Sequence, residues 1–195
     1  MAMRIITNLM SLAILAAALA GTPTSASAAE YRIDTAHSFI QFRTKHLGIS
    51  WLIGRFNRFE GQMTYDPDAG QAYQSIEVTI DAKSLDTNHA ERDRHLRGRQ
   101  FFNVDEHPEV TFVSTGYDGD RTGGVLSGDL TLLGMTRNVS FSVTRIAEGN
   151  DPWGGYRAGF EGEYAFAPAE FGMNYRLGPG AETVEVQLFI EAVRQ

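Results

Sequence analysis

Apolar and polar residues alternate in short runs from residue 38 almost to the C-terminus, and a run of period two is a strand that buries one face. In residues 38–44, Ile40 and Phe42 share one face opposite Gln41 and Arg43. Residues 54–65 read as one strand with Phe59, Gly61, Met63 and Tyr65 together, and Asp66, Pro67, Asp68, Ala69 and Gly70 supply the turn that ends it. Residues 75–82 place Ile76, Val78, Ile80 and Ala82 inward and Glu77, Thr79 and Asp81 outward. Further strands are predicted over 110–117, 125–133, 139–146, 157–166 and 183–193, the last with Val184, Val186, Leu188 and Ile190 on one face.

This gives about eight strands separated by Gly- or Pro-bearing turns, an all-β antiparallel meander with one face buried and one in water. Two segments depart from the pattern. Residues 46–54 (HLGISWLIG) read as a short apolar connection, and residues 88–98 (NHAERDRHLRG) as a helix. Asn88 with Glu91 forms the expected N-terminal cap, Asp93 and Arg97 the expected i,i+4 pair, and Gly98 the stop. Such a sheet closes into a barrel or stacks as a sandwich, and periodicity leaves both open. Small inward residues (Gly61, Ala82, Gly128, Gly162) beside large ones (Phe59, Leu130, Phe160) suit either a tapered ligand cavity or a solid, strongly curved core.

The N-terminus is of another kind. Arg4, the apolar run from Ile5 to Ala20 and the Ala26-Ser27-Ala28 site form a secretory signal, expected to be cleaved after residue 28. The apolar run is shorter than the ~20 residues that span a bilayer. Residues 29–195 then form a single domain, expected in the periplasm. That domain has no Cys, which excludes thiol catalysis, thiolate zinc sites and iron–sulfur clusters. All of the Phe, Tyr and Trp residues lie within it, enough to fill a core without disulfides. The whole chain carries a net charge of −7, and loss of Arg4 makes the domain more acidic still, so nucleic acid is not an expected partner.

Catalytic spacings are absent: His37, His46, His89, His95 and His107 form no H-x-H or H-E-x-x-H pattern, and there is no G-x-S-x-G. Arg92, Arg94, Arg97 and Arg99 precede the apolar pair Phe101 and Phe102, which suits an amphipathic ligand with an anionic head. A solvated helix whose charges pair with Glu91, Asp93 and Asp105 fits the same residues. Trp51, Leu52 and Ile53 suit an apolar lip over a cavity or a buried plug.

Five stretches in order carry a resemblance: HSFIQFRTKHLG (37–48), GRFNRFEG (54–61), IEVTIDAKSLDTN (76–88), HLRGRQFFNVDEHPEVTF (95–112) and GDLTLLGMTRNVSF (128–141). Through them the chain resembles the YceI family of periplasmic, lipocalin-like, polyisoprenoid-binding proteins over nearly all of residues 29–195. The resemblance implies an extended eight-stranded antiparallel lipocalin-like barrel with one or two short helices in its connections. It further implies an apolar cavity holding a quinone, a polyprenyl phosphate or a similar isoprenoid lipid, its head near the mouth, and no catalytic cofactor. The chain departs from the family at Pro168, where an arginine is usual, and at Asn138, where a proline is common.

The residues expected to line that cavity are Ile40, Phe42, Phe59, Met63, Val78, Ile80, Phe102, Phe112, Leu130, Leu132, Phe141, Phe160, Phe171, Val186 and Leu188. Trp51, His95, Arg97 and Arg99 are expected at the mouth. The expected role is binding, carriage or storage of the lipid, with room for a transient membrane contact and for a homodimer. A lipid-modifying enzyme using the same cavity is the rival reading. An outer-membrane barrel is disfavoured because Gln41, Arg43, Glu77, Asp81, Glu185 and Gln187 are polar on the outward face.

Overall fold

The computed structural model describes residues 28–66, 73–175 and 178–195. The expected leader, apart from Ala28, and the turn residues 67–70 lie outside the described residues. The elements in chain order are β1 (Ala29–Ile33), β2 (Phe39–His46), β3 (Ser50–Phe56), β4 (Phe59–Tyr65), β5 (Tyr73–Asp81), β6 (Leu85–Asp86), α1 (Ala90–Arg97), β7 (Glu109–Gly119), β8 (Gly123–Leu132), β9 (Met135–Asn150), β10 (Tyr156–Phe166) and β11 (Val184–Arg194).

A closed ring runs β1-β4-β5-β7-β8-β9-β10-β11 and returns to β1, all eight strands antiparallel to their neighbours. The free edge of β11 is shared, because Glu185 to Phe189 pair with β2 and the run ending at Arg194 pairs with β1. Thus β1 and β2 are two halves of one bent stave, and β3 with β4 form the next. The ring of eight is thereby closed on itself, while the outer edge of β3 has a strand partner only at Arg55 and Phe56, which pair with β6.

Three expectations are corrected. Residues 46–54 are a hairpin and not a connection: β2 and β3 pair from Ile40↔Phe56 to His46↔Ser50. The turn between them places Leu47 (φ 56) and Gly48 (φ 71) in the left-handed region, which matches the twist of the flanking strands. A non-glycine residue there is uncommon, so no Asn-Gly or Asp-Gly signal announces the turn. Residues 54–65 are two strands, interrupted at Asn57 and Arg58, whose backbone amides donate to Ser84 O (3.2 Å) and Ser84 Oγ (2.9 Å). Finally, the helix cap is His89 and not Asn88. The His89 Nδ1 accepts from the Arg92 amide at 3.3 Å, while Asn88 itself is left-handed at φ 61.

The expected Asp93–Arg97 pair does not form either. Buried Asp93 accepts from the amide (2.9 Å) and hydroxyl of Thr87, and Arg97 donates to the carbonyl of Leu85. These bonds tie α1 to β6. Because β5–β7 pairing begins at Asp81↔Glu109 and β6 pairs only with β3, α1 and residues 98–108 occupy the gap in the wall at that end. The strand Ala29–Ile33 carries too short an alternation to be read from the sequence, yet Tyr31 and Ile33 on it are buried.

Candidate functional site

Closing eight strands with one inward face each leaves an interior, and its contents differ along the axis. At the base, Tyr31, Met63, Tyr65, Tyr117, Leu126, Val143, Ala158, Phe160 and Ala192 form one buried cluster. Above it lies a cavity of about 1200 Å³. Its walls are the inward residues of every long strand, among them Ile40 and Phe42 from β2, Leu52 and Phe56 from β3, Val78 and Ile80 from β5, and Val186 and Leu188 from β11. Two aromatic runs line it. Phe42, Phe56 and Phe102 follow one another at 5.7 and 5.6 Å, and Phe112, Phe141, Tyr164 and Phe166 at 5.5, 6.0 and 5.6 Å.

Glycine sets how flat these rings lie. A Cβ at Gly54 would stand 2.2 Å from the Phe42 ring, so the absence of a side chain on β3 lets the ring rest against the wall and keeps the lumen clear.

At the far end the cavity meets the polar mouth. Arg92, His95 and Leu96, spaced i, i+3, i+4 on α1, face it with Phe101, Phe102, Met173, Asn174, Tyr175, Pro179 and Glu182. The His95 ring stands edge-on to Phe101 (5.0 Å) and Tyr175 (5.6 Å), and its Nε2 lies 3.0 Å from Gln100 Oε1. Arg92 donates through Nε to Thr87 Oγ1 at 2.7 Å and through Nη2 to the Thr87 carbonyl. The Tyr164 hydroxyl has its pKa raised by burial and then by Glu170.

All but two of the expected cavity residues line this space; the exceptions are Phe59 and Phe171. Phe59 opens β4 directly after the break at 57–58 and packs sideways with Ile33 and Ile40. Phe171 lies in a 3-10 turn (Pro168–Phe171) that ends at left-handed Gly172, and it packs against Val104, Leu132 and Val139, outside the lumen. The mouth residues divide further. His95 is there, but Trp51 points outward, because Leu52 takes the inward place beside it; the Arg43 and Lys45 side chains lie over the Trp51 ring at 4.4 and 3.7 Å. Neither Arg97 nor Arg99 lines the cavity, and Arg94 pairs with Glu91 at 2.7 Å. Of that arginine group, Arg92 alone reaches the lumen. The i, i+3, i+4 spacing of Arg92, His95 and Leu96 was the available signal for it.

Two charged centres stand at the base. The Tyr65 hydroxyl, buried beside the Arg145–Glu148 ion pair (2.7 Å), is pushed up to about 12, by burial first and Glu148 second. On the outside, Arg157 donates to Asp34 (2.6 Å), Asp151 (2.7 Å) and Glu191 (2.5 Å), joining the end of β1 to β10 and β11. This guanidinium, with His37 second, holds the Asp34 carboxyl at about 2. Asp34, His37 and Glu191 are close enough together to bind a cation, but the Arg157 guanidinium already bridges the two carboxylates and occupies that place.

The profile described as the YceI-like domain matches residues 31–192. A UPF0312 protein of Pseudomonas aeruginosa is 47% identical over 176 residues, covering 89% of this chain and 92% of its own length. Another, from Yersinia enterocolitica, is 46% identical over 189 residues, covering 96% and 98%. Among solved structures, Burkholderia cenocepacia BcnA superposes with a TM-score of 0.72 at 22% identity, over 82% of this chain and 98% of its own. A polyisoprenoid-binding domain from Saccharophagus degradans does so with a TM-score of 0.60 at 16% identity, over 86% and 99%.

Proposed function

The chain belongs to the YceI-like family, and on that premise we propose that it holds a long amphipathic isoprenoid lipid in the barrel and carries or stores it in the periplasm. The cavity carries this reading. Its volume of about 1200 Å³ exceeds the ~300–1000 Å³ of ordinary small-molecule pockets, and its walls are apolar for most of its depth. Each buried methylene contributes about 0.8 kcal/mol, so a five-carbon unit is worth roughly 4 kcal/mol before ordering costs. A few units suffice for stable binding. The Saccharophagus degradans domain, of the same fold and described as polyisoprenoid-binding, supports the ligand class.

The mouth favours a neutral head, such as a quinone, over a polyprenyl phosphate. Phosphate is best held by several guanidinium groups, and here Arg97 and Arg99 stand off the cavity, while Arg92, the one arginine of the group that lines it, gives two of its five N–H donors to Thr87 and is accompanied by Glu182. The periplasmic part of the proposal rests on Arg4, the apolar run and the Ala-Ser-Ala site; N-terminal sequencing of the exported form should start at Ala29 or Glu30.

Organic extraction and mass spectrometry of protein purified from its native host should recover an isoprenoid in near-stoichiometric amount. Leu130→Glu, which directs a carboxylate into the lumen, should stay folded and lose that lipid. Full lipid retention by this variant, or a native protein devoid of lipid, would overturn the reading.

A further inference from the structure

The β2–β3 hairpin has lipid-lining residues on one face and an uncovered apolar surface on the other. Inward, Phe42, Thr44, Leu52 and Phe56 form part of the cavity wall. Outward and at the tip, Leu47 is 48% exposed, Ile49 84%, Trp51 39% and Ile53 59%. Four large apolar side chains within seven residues, beside the cavity mouth, make a patch that isolated surface residues do not.

The charges around the patch are basic. Arg43 and Lys45 lie over the Trp51 ring, and Arg55 follows on the same outward face of β3. Glu185 pairs with Arg43 and Asp86 with Arg55, but no carboxylate among the described residues bridges Lys45. This local excess of positive charge stands on a chain whose net charge is −7. A tryptophan ring flanked by long cationic side chains, next to exposed aliphatics, matches the boundary between lipid tails and anionic head groups.

We infer that this hairpin docks the barrel mouth on an anionic phospholipid bilayer. Ile49 and Leu47 enter the surface, Trp51 and Ile53 lie at head-group level, and Lys45 with Arg43 meets lipid phosphates. The inference rests on the lipid-binding reading for its purpose, since it sets the mouth against the phase from which an insoluble cargo enters or leaves. A second copy of the chain fits less well: the three-residue turn 47–49 presents a narrow convex tip, whereas a stable dimer buries about 800 Å² on each partner.

The test is co-sedimentation with vesicles of phosphatidylethanolamine and phosphatidylglycerol, against vesicles of phosphatidylcholine alone. A Trp153→Phe background leaves Trp51 as the reporter. Binding to the anionic vesicles with a blue-shifted Trp51 emission is expected. Ile49→Asp should weaken partitioning at least about tenfold, and Lys45→Glu should weaken it on the anionic vesicles only. Because Ile49 is so exposed, circular dichroism and retained lipid should match the wild type in Ile49→Asp, so a loss of docking is separable from a loss of cargo. Cargo present without vesicle binding, or binding unchanged in Ile49→Asp, overturns the docking proposal alone. Vesicle binding that depends on Ile49 in a protein that never carries lipid overturns the cargo reading and leaves docking standing. A dimer in size-exclusion chromatography that Ile49→Asp dissociates, with no vesicle binding, assigns the patch to a second copy instead.

Discussion

Tyr31, Tyr65 and Phe160 at the base and Phe112, Phe141 and Tyr164 farther along the barrel all occupy inward positions of alternating strands, but they meet different neighbours. Tyr65 on β4 reaches Phe160 on β10 edge-on at 5.6 Å, across two intervening strands, and Tyr31 at 5.8 Å. Space for that crossing is left by Ala158 and Ala192, both almost fully buried. Phe112, Phe141 and Tyr164 instead succeed one another along one side of the ring, from β7 to β10, and face the cavity. Tyr31 and Tyr65, packed across the axis, contribute stability; Phe112, Phe141 and Tyr164 contribute a binding surface; Phe160, at the floor of the cavity, does both.

The largest effect should come from removing one ring of each kind. Tyr31→Ala leaves a void in a filled cluster and is expected to cost about 3–5 kcal/mol. Phe112→Ala only enlarges an existing space and should cost about 1–2 kcal/mol, because part of its contact shell is already missing. Urea unfolding of the two variants without lipid checks this; equal losses would mean that the base and the hollow section do not differ as described.

A smaller difference is expected where a methyl group is added. At the base, a Cβ on Gly124 would stand 2.3 Å from the Asp118 carbonyl oxygen and 2.6 Å from the Gly119 Cα. Backbone cannot yield there, so Gly124→Ala should cost about 1–3 kcal/mol. In Gly54→Ala the obstacle is the Phe42 ring, which has the lumen to swing into. Its melting temperature should fall little, while its lipid capacity falls because the ring narrows the cavity. A Gly54→Ala variant that loses stability but keeps its full capacity would break the comparison.

The smallest effect concerns the outer seam of the base. The Asp34 carboxyl is held at about 2, by Arg157 first and His37 second; Asp151 is also lowered, again by Arg157 first. A carboxylate whose folded pKa is depressed contributes stability that is complete above its unfolded pKa of ~3.9 and is lost as the pH falls through its folded value. The seam should therefore weaken between about pH 4 and pH 2. Stability measured over that range should drop less steeply in Arg157→Ala than in the wild type, and parallel curves would show that the seam adds nothing to acid stability.

Much of the wall was legible in the chain. Period two is a local property of the strand, so Ile40, Val78, Phe112, Leu130, Phe141 and Leu188 could be assigned to one face before their partners were known, and each lines the cavity. Outward polar residues such as Glu77 and Gln41 follow from the same alternation. Legibility ends where a residue's place depends on a remote contact. The break after Phe56 is set by Ser84, which accepts the amides of Asn57 and Arg58 from another part of the chain. Phe59 and Phe171 have the same composition and hydropathy as their cavity-lining counterparts, yet a strand break and a 3-10 turn direct them elsewhere. The arginine group read as one feature divides once α1 is docked, with Arg92 facing the lumen, Arg97 bonded to Leu85 and Arg94 paired with Glu91.

Which face of each strand turns inward is therefore written in the residues themselves, since successive side chains must point to opposite sides. Whether that interior is solid or hollow is not, because it depends on which strands close the ring, on which rings meet across it and on how α1 and the segment before β11 cover the end. Those are distances between residues remote in sequence, and only the closed barrel sets them.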